Sequence, residues 1–338
     1  MEDPRSAHET HRSKPPAPPA PPAPATPPKP PAPSEQNASY TLVVEPDQGL
    51  TAIYNLIASA KKSIDMTMYE LTDATVIDAL AAAAANGLAV RVILDQNEEK
   101  AANTPAYNSL QAKKVGVHWA NPAYAVTHQK TVTVDAASSA IMTLNLTPEA
   151  YATTRDFAVI TNDAADVAAI ETTFSADFTN AAITPPTGDN LVWSPTNSLS
   201  SLQALINGAT HSLLIAQEEF DDTTIQSDLI SALKRGVSVT LVQENENNKY
   251  TSTLTPLKQA GAKIAVYTST KSSAYYIHAK AVLADYSTAQ AKLFLGSENF
   301  SADSLGKNRE LGLIFSDPAC MTGVYNALTK DFNGGTPF

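Results

Sequence analysis

"THQKTVTVD" at residues 127–135 and "IHAKAVLAD" at residues 277–285 share one spacing, in which His-x-Lys is followed after four residues by Asp. Residues two apart on a strand face the same side, so each histidine should point the same way as its lysine. One such motif is typical of a polar strand end in solvent. Two copies, 150 residues apart, instead indicate a duplicated functional site. The motif residues are His128, Lys130 and Asp135 in the first copy and His278, Lys280 and Asp285 in the second.

The segments upstream of the two motifs repeat as well. Residues 52–99 and 201–247 each have the pattern of a helix, an alternating strand, a second helix and a β-branched strand. In both copies an aspartate is the candidate N-cap of the second helix and a glycine ends it. These pairs are Asp73 with Gly87 in the first copy and Asp222 with Gly236 in the second.

Alternating helices and strands predict an α/β fold. The duplication predicts two similar α/β halves that pack around one shared active site, with a largely parallel sheet in each half. We place the halves at residues 39–185 and 186–338. Because both half-sites are in one chain, we expect a monomer.

Further polar residues recur downstream of each motif, each on or beside a predicted strand. An asparagine comes first, and an arginine followed by a carboxylate comes next. The asparagines are 154 residues apart, and so are the carboxylates. The recurring residues are Asn145, Arg155 and Asp156 in the first half and Asn299, Arg309 and Glu310 in the second.

The doubled motif resembles the phospholipase D superfamily, in its branch with two motifs in a single chain. The likeness extends over residues 40–335, and the second copy also has the Gly296-Ser297 pair that is usual downstream of the motif. The first copy departs from the pattern. Met142 and Thr143 stand where glycine and serine are usual, and Asp156 stands where glutamate is usual.

The resemblance implies phosphodiester chemistry with no cofactor and no metal. One imidazole attacks phosphorus and the other serves as acid and then base. Family precedent assigns attack to His128 and proton transfer to His278, although the symmetric sequence cannot distinguish them. Lys130, Lys280 and the asparagines Asn145 and Asn299 would stabilise charge on the phosphoryl oxygens.

Supporting roles are expected for the remaining motif residues. By the resemblance, Glu310 and Asp156 are the carboxylates that orient the histidines. Asp135 and Asp285 are expected to make structural hydrogen bonds. Ser297 and Thr143 could shape the phosphate pocket.

Composition limits the class of protein. The 338 residues carry a net charge of −11, which argues against broad electrostatic binding of nucleic acid. Cys320 is the single cysteine, so no internal disulfide is possible. No apolar stretch is long enough for a transmembrane helix.

The first 38 residues are set apart from the fold. Residues 15–33 contain 12 prolines in 19 positions, so they predict a polyproline-like linker in a disordered segment 1–38. No signal peptide is visible in this segment. A linker of this kind favours export to the periplasm or medium over a cytoplasmic location, and the localisation stays open.

The sequence leaves the substrate open. The leading interpretation is a hydrolase of phospholipid headgroup phosphodiesters that makes peripheral contact with a membrane. The alternative is a nuclease that cleaves DNA or RNA, which the acidic composition disfavours. A phosphatidyltransferase is a further alternative. A catalytically inactive binding module would be expected to lack a motif histidine or lysine, and all four are present.

Overall fold

The computed structural model describes residues 39–268, 270 and 274–338. The predicted Pro-rich segment 1–38 lies outside the described residues. Within them, two sheets are present, one built mainly by each half of the chain. No described helix combines the length and the apolarity that crossing a bilayer requires.

The elements of the first half alternate as the sequence predicts. They are β1 (Tyr40–Glu45), α1 (Thr51–Ala58), β2 (Ser63–Met68), α2 (Ala74–Ala85), β3 (Ala89–Leu94), α3 (Lys100–Ala112), β4 (Gly116–Trp119), β5 (Thr131–Val134), β6 (Ser138–Met142), β7 (Thr154–Thr161) and α4 (Ala164–Phe178).

The second half repeats this order with small additions. Its elements are β8 (Leu191–Ser194), α5 (Ser198–Gly208), β9 (Ser212–Gln217), α6 (Thr223–Lys234), β10 (Ser238–Glu244), a 3-10 turn (Glu246–Asn248), α7 (Thr251–Gln259), β11 (Lys263–Tyr267), β12 (Tyr276–Ile277), β13 (Ala281–Ala284), β14 (Lys292–Gly296), α8 (Ala302–Gly306), β15 (Glu310–Phe315), α9 (Pro318–Gly334) and β16 (Thr336–Pro337).

The predicted helix boundaries of the repeat are confirmed by the local geometry. The Asp73 side chain accepts hydrogen bonds from backbone amides at the start of α2, and Asp222 does so from Ile225 at the start of α6. Gly87 and Gly236 follow the two helices at φ +88° and +92°. That region favours glycine, so both helices end where the sequence predicts.

The sheets are mixed, so the expectation of a largely parallel sheet is wrong. The first sheet has the order β1-β7-β6-β5-β2-β3-β4, and the second has β16-β11-β10-β9-β13-β14-β15-β8. Parallel pairing within these orders is confined to β2-β3-β4 and to β9-β10-β11. The strands after each motif are joined by short connections, which require antiparallel neighbours.

The two halves share one hydrophobic core and exchange backbone pairing. β12 of the second half pairs in parallel with β7 of the first. Likewise, Thr127 of the first half forms a parallel β-bridge with Arg309 of the second. Apolar side chains from both sheets interleave between them. The buried set includes Ile141, Phe157 and Val159 from the first half and Leu295, Leu311 and Leu313 from the second.

Candidate active site

Both His-x-Lys pairs lie in the short segments that lead into a central strand. His128 and Lys130 precede β5, and His278 and Lys280 precede β13, so the prediction of a position within a strand is off by a few residues. Because both strands are central in their sheets, the lysine side chains are fully buried. The histidines are each 12% exposed, which leaves them accessible to a small molecule.

Each histidine is held by a carboxylate from the other half of the chain. His128 donates from Nδ1 to Oε2 of Glu310 at 2.7 Å, and His278 donates from Nδ1 to Oδ1 of Asp156 at 2.8 Å. An ionised carboxylate only accepts, so both imidazoles carry the Nδ1 proton. The Nε2 atoms are therefore the ones left for chemistry.

Backbone hydrogen bonds also join each histidine to the opposite half. The amide of His128 donates to the carbonyl oxygen of Arg309 at 2.9 Å, and the amide of His278 donates to that of Arg155 at 3.2 Å. Each arginine directly precedes the carboxylate that holds the same histidine. Main chain and side chain thus fix each imidazole against the opposite half at two points.

Further hydrogen bonds orient the two carboxylates. Ser304 donates to Oε1 of Glu310 at 2.7 Å and Asn308 donates to the same atom at 3.0 Å. Thr143 donates to Asp156. Burial would raise the pKa of Glu310, but the neighbouring His128 and Lys130 outweigh it and lower the pKa. Glu310 is therefore ionised beside its histidine.

The environment of His128 favours its neutral form. Burial lowers the pKa of His128, and nearby Lys130 acts in the same direction against the opposing effect of Glu310. With Nδ1–H bound to Glu310, the neutral imidazole has a lone pair on Nε2. This is the form that a nucleophile requires.

The two lysines have different partners. Lys130 donates from Nζ to the carbonyl oxygen of His128 at 2.6 Å and lies 4.7 Å from the centre of the Tyr69 ring. Burial, with the charge of Lys280, lowers the pKa of Lys130 to about 7. Lys280 instead forms an ion pair with Glu218, at 2.7 Å between Nζ and Oε2.

The sequence did not identify Glu218 as a site residue. Its Oε2 atom lies 3.6 Å from Nε2 of His278 and 3.4 Å from Nδ2 of Asn299, which donates to it. Tyr276 donates to the other oxygen at 2.9 Å. Burial would raise the pKa of Glu218, but the charges of His278 and Lys280 lower it strongly, so it is ionised.

The internal repeat gives the signal that could have revealed Glu218. Tyr69 lies 149 residues earlier, the interval that separates Gly87 from Gly236. Tyr69 packs edge-on against His128, 4.7 Å between ring centres. The same position at the end of β2 and β9 thus contacts the histidine in both halves, once as an aromatic ring and once as a carboxylate.

A cavity of about 550 Å³ joins the two half-sites. His128, His278, Asn145 and Asn299 all line it, so the structure brings together the histidines and asparagines that the sequence singled out. Its wall is acidic, and no lysine or arginine stands among its lining residues in the described chain. The acidic residues are Glu70, Glu98, Glu99, Glu218, Glu219 and Asp303.

The two motif aspartates bind backbone. Asp135 accepts from the amides of Lys61, Lys62 and Ser63, and Asp285 accepts from those of residues 210–212. These amides precede β2 and β9, so each aspartate ties the turn after its own motif strand to the neighbouring strand.

The hydroxyls predicted to shape the phosphate pocket lie behind the carboxylates. Thr143 Oγ1 accepts from the amide of Phe157, and Ser297 Oγ accepts from the amide of Leu311 at 3.2 Å. Both amides belong to the residue that follows an orienting carboxylate. Ser297 and Thr143 therefore support the strands that present Glu310 and Asp156.

The glycine missing from the first half has a packing explanation. A Cβ atom at Gly296 would lie 2.4 Å from Oε2 of Glu298, and one at Gly312 would lie 2.7 Å from it. Burial raises the pKa of Glu298 well above its ordinary value, so its carboxyl group is neutral. At the positions 154 residues earlier, Met142 and Ala158 replace the two glycines, and the apolar Leu144 replaces the glutamate.

Comparisons with known proteins agree with this architecture. A family model described as "Cardiolipin synthase, PLD-like domain" matches residues 53–178 and 202–334. The fold is similar to phosphatidylserine synthase of Haemophilus influenzae Rd KW20, with a TM-score of 0.67 at 14% identity, over 88% of this chain and 87% of that one. It is also similar to polyphosphate kinase of Porphyromonas gingivalis, with a TM-score of 0.66 at 16% identity, over 87% of this chain.

This chain spans only 50% of the length of the polyphosphate kinase. No curated protein sequence matches it. The family model covers most of the chain in two segments, one for each half and each containing one His-x-Lys motif. The chain belongs to the phospholipase D superfamily, with both PLD-like segments in a single polypeptide.

Proposed function

We propose that the protein is a metal-independent enzyme that cleaves phosphodiesters through a phosphohistidine intermediate. The observation that carries this proposal is the pair of histidines lining one cavity, each with Nδ1 bound to a carboxylate of the opposite half. That arrangement leaves two Nε2 atoms for one substrate phosphate. The superfamily membership supports the same chemistry.

In the first step Nε2 of His128 attacks phosphorus. The new P–N bond forms as the P–O bond to the leaving alcohol breaks, and His278 gives its Nε2 proton to the leaving oxygen. The lowered pKa of His128 supports its assignment as the nucleophile, because it is neutral before attack. Asp156 stabilises the imidazolium form of His278 before this step.

In the second step a water or an alcohol attacks the phosphohistidine. His278 takes the proton of the incoming oxygen, a P–O bond forms, and the P–N bond to His128 breaks. Both histidines return to their starting states. The charges of Lys130 and Lys280 and the amide groups of Asn145 and Asn299 stabilise the phosphoryl oxygens in both steps.

We propose phospholipid headgroup diesters as the substrate class. The acidic wall of the cavity would repel a polyanion such as long DNA or RNA, since nucleic-acid binding depends on clustered basic side chains. A nuclease is therefore the less favoured alternative. Contact with a lipid surface would be peripheral.

Phosphatidyl transfer is a second candidate function. The matching family model is described as a cardiolipin synthase domain, and a structural neighbour is a phosphatidylserine synthase. Hydrolysis and transfer share the first step and differ in whether water or an alcohol completes the second. The chemistry of the histidines serves both.

The proposal is tested by one assay with EDTA present throughout. Phosphatidylcholine vesicles are offered with and without a primary alcohol, alongside single-stranded DNA. We expect choline release by the wild-type protein, and a phosphatidyl alcohol as product when the alcohol is added. His128→Ala and His278→Ala should each abolish turnover.

His211→Ala is the matched control, because the His211 side chain is exposed and lies outside the His-x-Lys motifs. It should retain full activity. DNA cleavage that is lost in His128→Ala, without choline release, would replace the lipid proposal with a nuclease. Full activity in either motif variant would refute the two-histidine mechanism.

A further inference from the structure

A carboxylate of the protein itself contacts the polar groups of the second half-site that the mechanism assigns to the substrate. Oε2 of Glu218 lies 2.7 Å from Lys280 Nζ, 3.4 Å from Asn299 Nδ2 and 3.6 Å from His278 Nε2. These are the histidine, lysine and asparagine that the mechanism assigns to the substrate phosphate. Glu218 thus contacts the three groups that the proposed mechanism gives to a phosphoryl oxygen.

Among the described residues, the first half-site contains no such carboxylate. Tyr69 takes the equivalent position, with its ring against His128 and under Lys130. The hydroxyl of Tyr69 is directed to Glu98, at 2.8 Å. The carboxylate is therefore a specific feature of the second half rather than of the duplicated architecture.

Glu218 also lines a neighbouring pocket of about 220 Å³. We call this the tyrosine pocket, and its wall includes Glu218, Glu219, Lys249, Tyr250 and Tyr276. Aromatic faces beside carboxylates are the environment in which proteins bind ammonium groups. The pocket adjoins the half-site because Glu218 belongs to the walls of both.

An ammonium group of the protein itself is bound at this pocket. Nζ of Lys249 lies 4.9 Å from the centre of the Tyr250 ring and 3.2 Å from Oε1 of Glu219. The Lys249 side chain is 61% exposed, so it can move away without unfolding its surroundings. The pocket therefore already binds a cation by a contact that a ligand could replace.

Asn308, in the wall of the histidine cavity, offers a hydrogen-bond acceptor. Asn308 lines the histidine cavity and is 8% exposed, and its Nδ2 atom donates to Glu310. Its Oδ1 atom has no hydrogen-bond partner among the residues that the structure describes. A buried acceptor without a partner favours a substrate group that donates to it.

We propose that Glu218 selects phosphodiesters in which one alcohol carries a cationic amine, by exchanging ion pairs with the substrate. The substrate phosphate replaces Glu218 at Lys280 and His278, and the substrate ammonium then pairs with Glu218 at the tyrosine pocket. This inference rests on the proposed phosphodiester chemistry. The charge of the site is the same before and after the exchange.

A diester without the cation cannot complete this exchange. Its phosphate would release Glu218 from Lys280 and leave a carboxylate that is only 18% exposed facing the acidic wall, with the Tyr276 hydroxyl but no cation as a partner. A largely buried charge without a counter-ion is unfavourable, so such a substrate should bind weakly. Glu218 therefore discriminates by charge at a site where the shape of the alcohol could be identical.

Two substrates with the same leaving group and the same shape test this. They are p-nitrophenylphosphorylcholine and p-nitrophenyl 3,3-dimethylbutyl phosphate, in which carbon replaces the charged nitrogen. For the wild-type protein we expect kcat/KM to favour the choline ester by roughly tenfold or more. In Glu218→Gln the ratio should fall toward one, mainly because the neutral ester is cleaved faster.

Lys249→Ala provides the complementary variant. Removing the internal ammonium should lower KM for the choline ester severalfold, and should lower it more than KM for the neutral ester. A wild-type ratio of one, or a ratio that Glu218→Gln leaves unchanged, overturns the proposal. His128→Ala must abolish turnover of both esters if the proposed mechanism is right.

A binding measurement separates this proposal from the proposed function. Calorimetry with inorganic phosphate needs no turnover, and Glu218→Gln should bind phosphate roughly tenfold or more tightly than the wild type, because its competing carboxylate is gone. Should neither ester be cleaved, tighter binding by the variant would still support the position of Glu218 in the phosphate site. Equal affinities would overturn it.

Discussion

Oε2 of Glu310 lies 2.7 Å from Nδ1 of His128, a residue 182 positions earlier in the chain. This contact fixes the tautomer of the nucleophile proposed here and directs its Nε2 lone pair into the cavity. Since Asp156 holds His278 in the same way, each half of the protein positions the proposed catalytic histidine of the other. Either half folded alone would leave its histidine without the carboxylate that binds it.

Glu310→Gln should therefore lower kcat by roughly 10²- to 10⁴-fold, because an amide cannot stabilise the imidazolium-like charge and can hold the wrong tautomer. Glu310 also raises the pKa of His128 against the effect of burial. Its loss should move the acid limb of the rate profile to lower pH. Steady-state kinetics across pH measure both effects, and an unchanged kcat would contradict the role of Glu310.

The two histidines should be distinguishable by burst kinetics with a p-nitrophenyl diester. This leaving group departs without a proton, so His278→Ala should still form the phosphohistidine. The variant lacks the base for the second step, so it should release about one equivalent of p-nitrophenolate and then stall. His128→Ala should give no burst.

The reverse pattern would assign attack to His278. Stopped-flow absorbance measures the burst, and ³¹P NMR of the stalled protein would identify the phosphorus–nitrogen bond. The His211→Ala control should show wild-type turnover.

The sequence singled out the histidines and asparagines that line the shared cavity. It did not predict that each histidine binds a carboxylate of the opposite half. The repeat of His128 and His278, with Asn145 and Asn299, was enough to predict one shared cavity. Which carboxylate holds which histidine depends on how the halves pack, and a symmetric sequence is compatible with either pairing. In the structure, the parallel pairing of β12 with β7 places His278 beside Asp156 of the opposite half.

Glu218 shows a different limit of sequence reasoning. The alternation of β9 predicts which residues are buried, but it does not predict the side chains that meet beyond the strand end. Sheet direction was mispredicted for a related reason. Alternating helices and strands dominate the pattern upstream of each motif, whereas the antiparallel strands follow it and are joined by turns such as that at Asp135.

The pH profile of kcat/KM should be bell-shaped, with its maximum below pH 7. Burial lowers the pKa of His128 below its ordinary value of about 6.5, so the nucleophile is lost only as pH falls through a value below that. Lys130 has a pKa of about 7 in the free protein and loses its charge as pH rises through it. Activity should therefore decline on both sides.

Lys130→Arg identifies the basic limb. Arginine stays charged, so the limb should shift upward in this variant even if geometry reduces the maximal rate. In the wild type, a bound phosphate anion should raise the pKa of Lys130 and place the basic limb of kcat above that of kcat/KM. A basic limb unmoved in Lys130→Arg would assign it to another group, such as the acid His278.

The halves should also depend on two buried ion pairs for stability. Arg155 donates from Nε to Asp331 of α9 at 2.6 Å, and Arg309 pairs with Asp177 of α4 at 3.0 Å, so each arginine binds a helix of the opposite half. Arg155 is fully buried. Asp331→Ala would leave the charge of Arg155 with only the half-exposed Asp47 as an acidic partner. The substitution should lower the free energy of unfolding by about 3–5 kcal/mol.

Urea denaturation measures this loss, and Lys307→Ala is its control. Lys307 pairs with Asp303 on the surface at 2.6 Å, with both side chains 65% exposed, and should change stability by less than about 1 kcal/mol. Asp331→Asn should lie between the two, because it keeps a hydrogen-bond acceptor for Arg155. Since the carbonyl of Arg155 accepts the His278 amide, Asp331→Ala should lose activity before it unfolds. Equal stability of Asp331→Ala and Lys307→Ala would show that the buried pair does not hold the halves together.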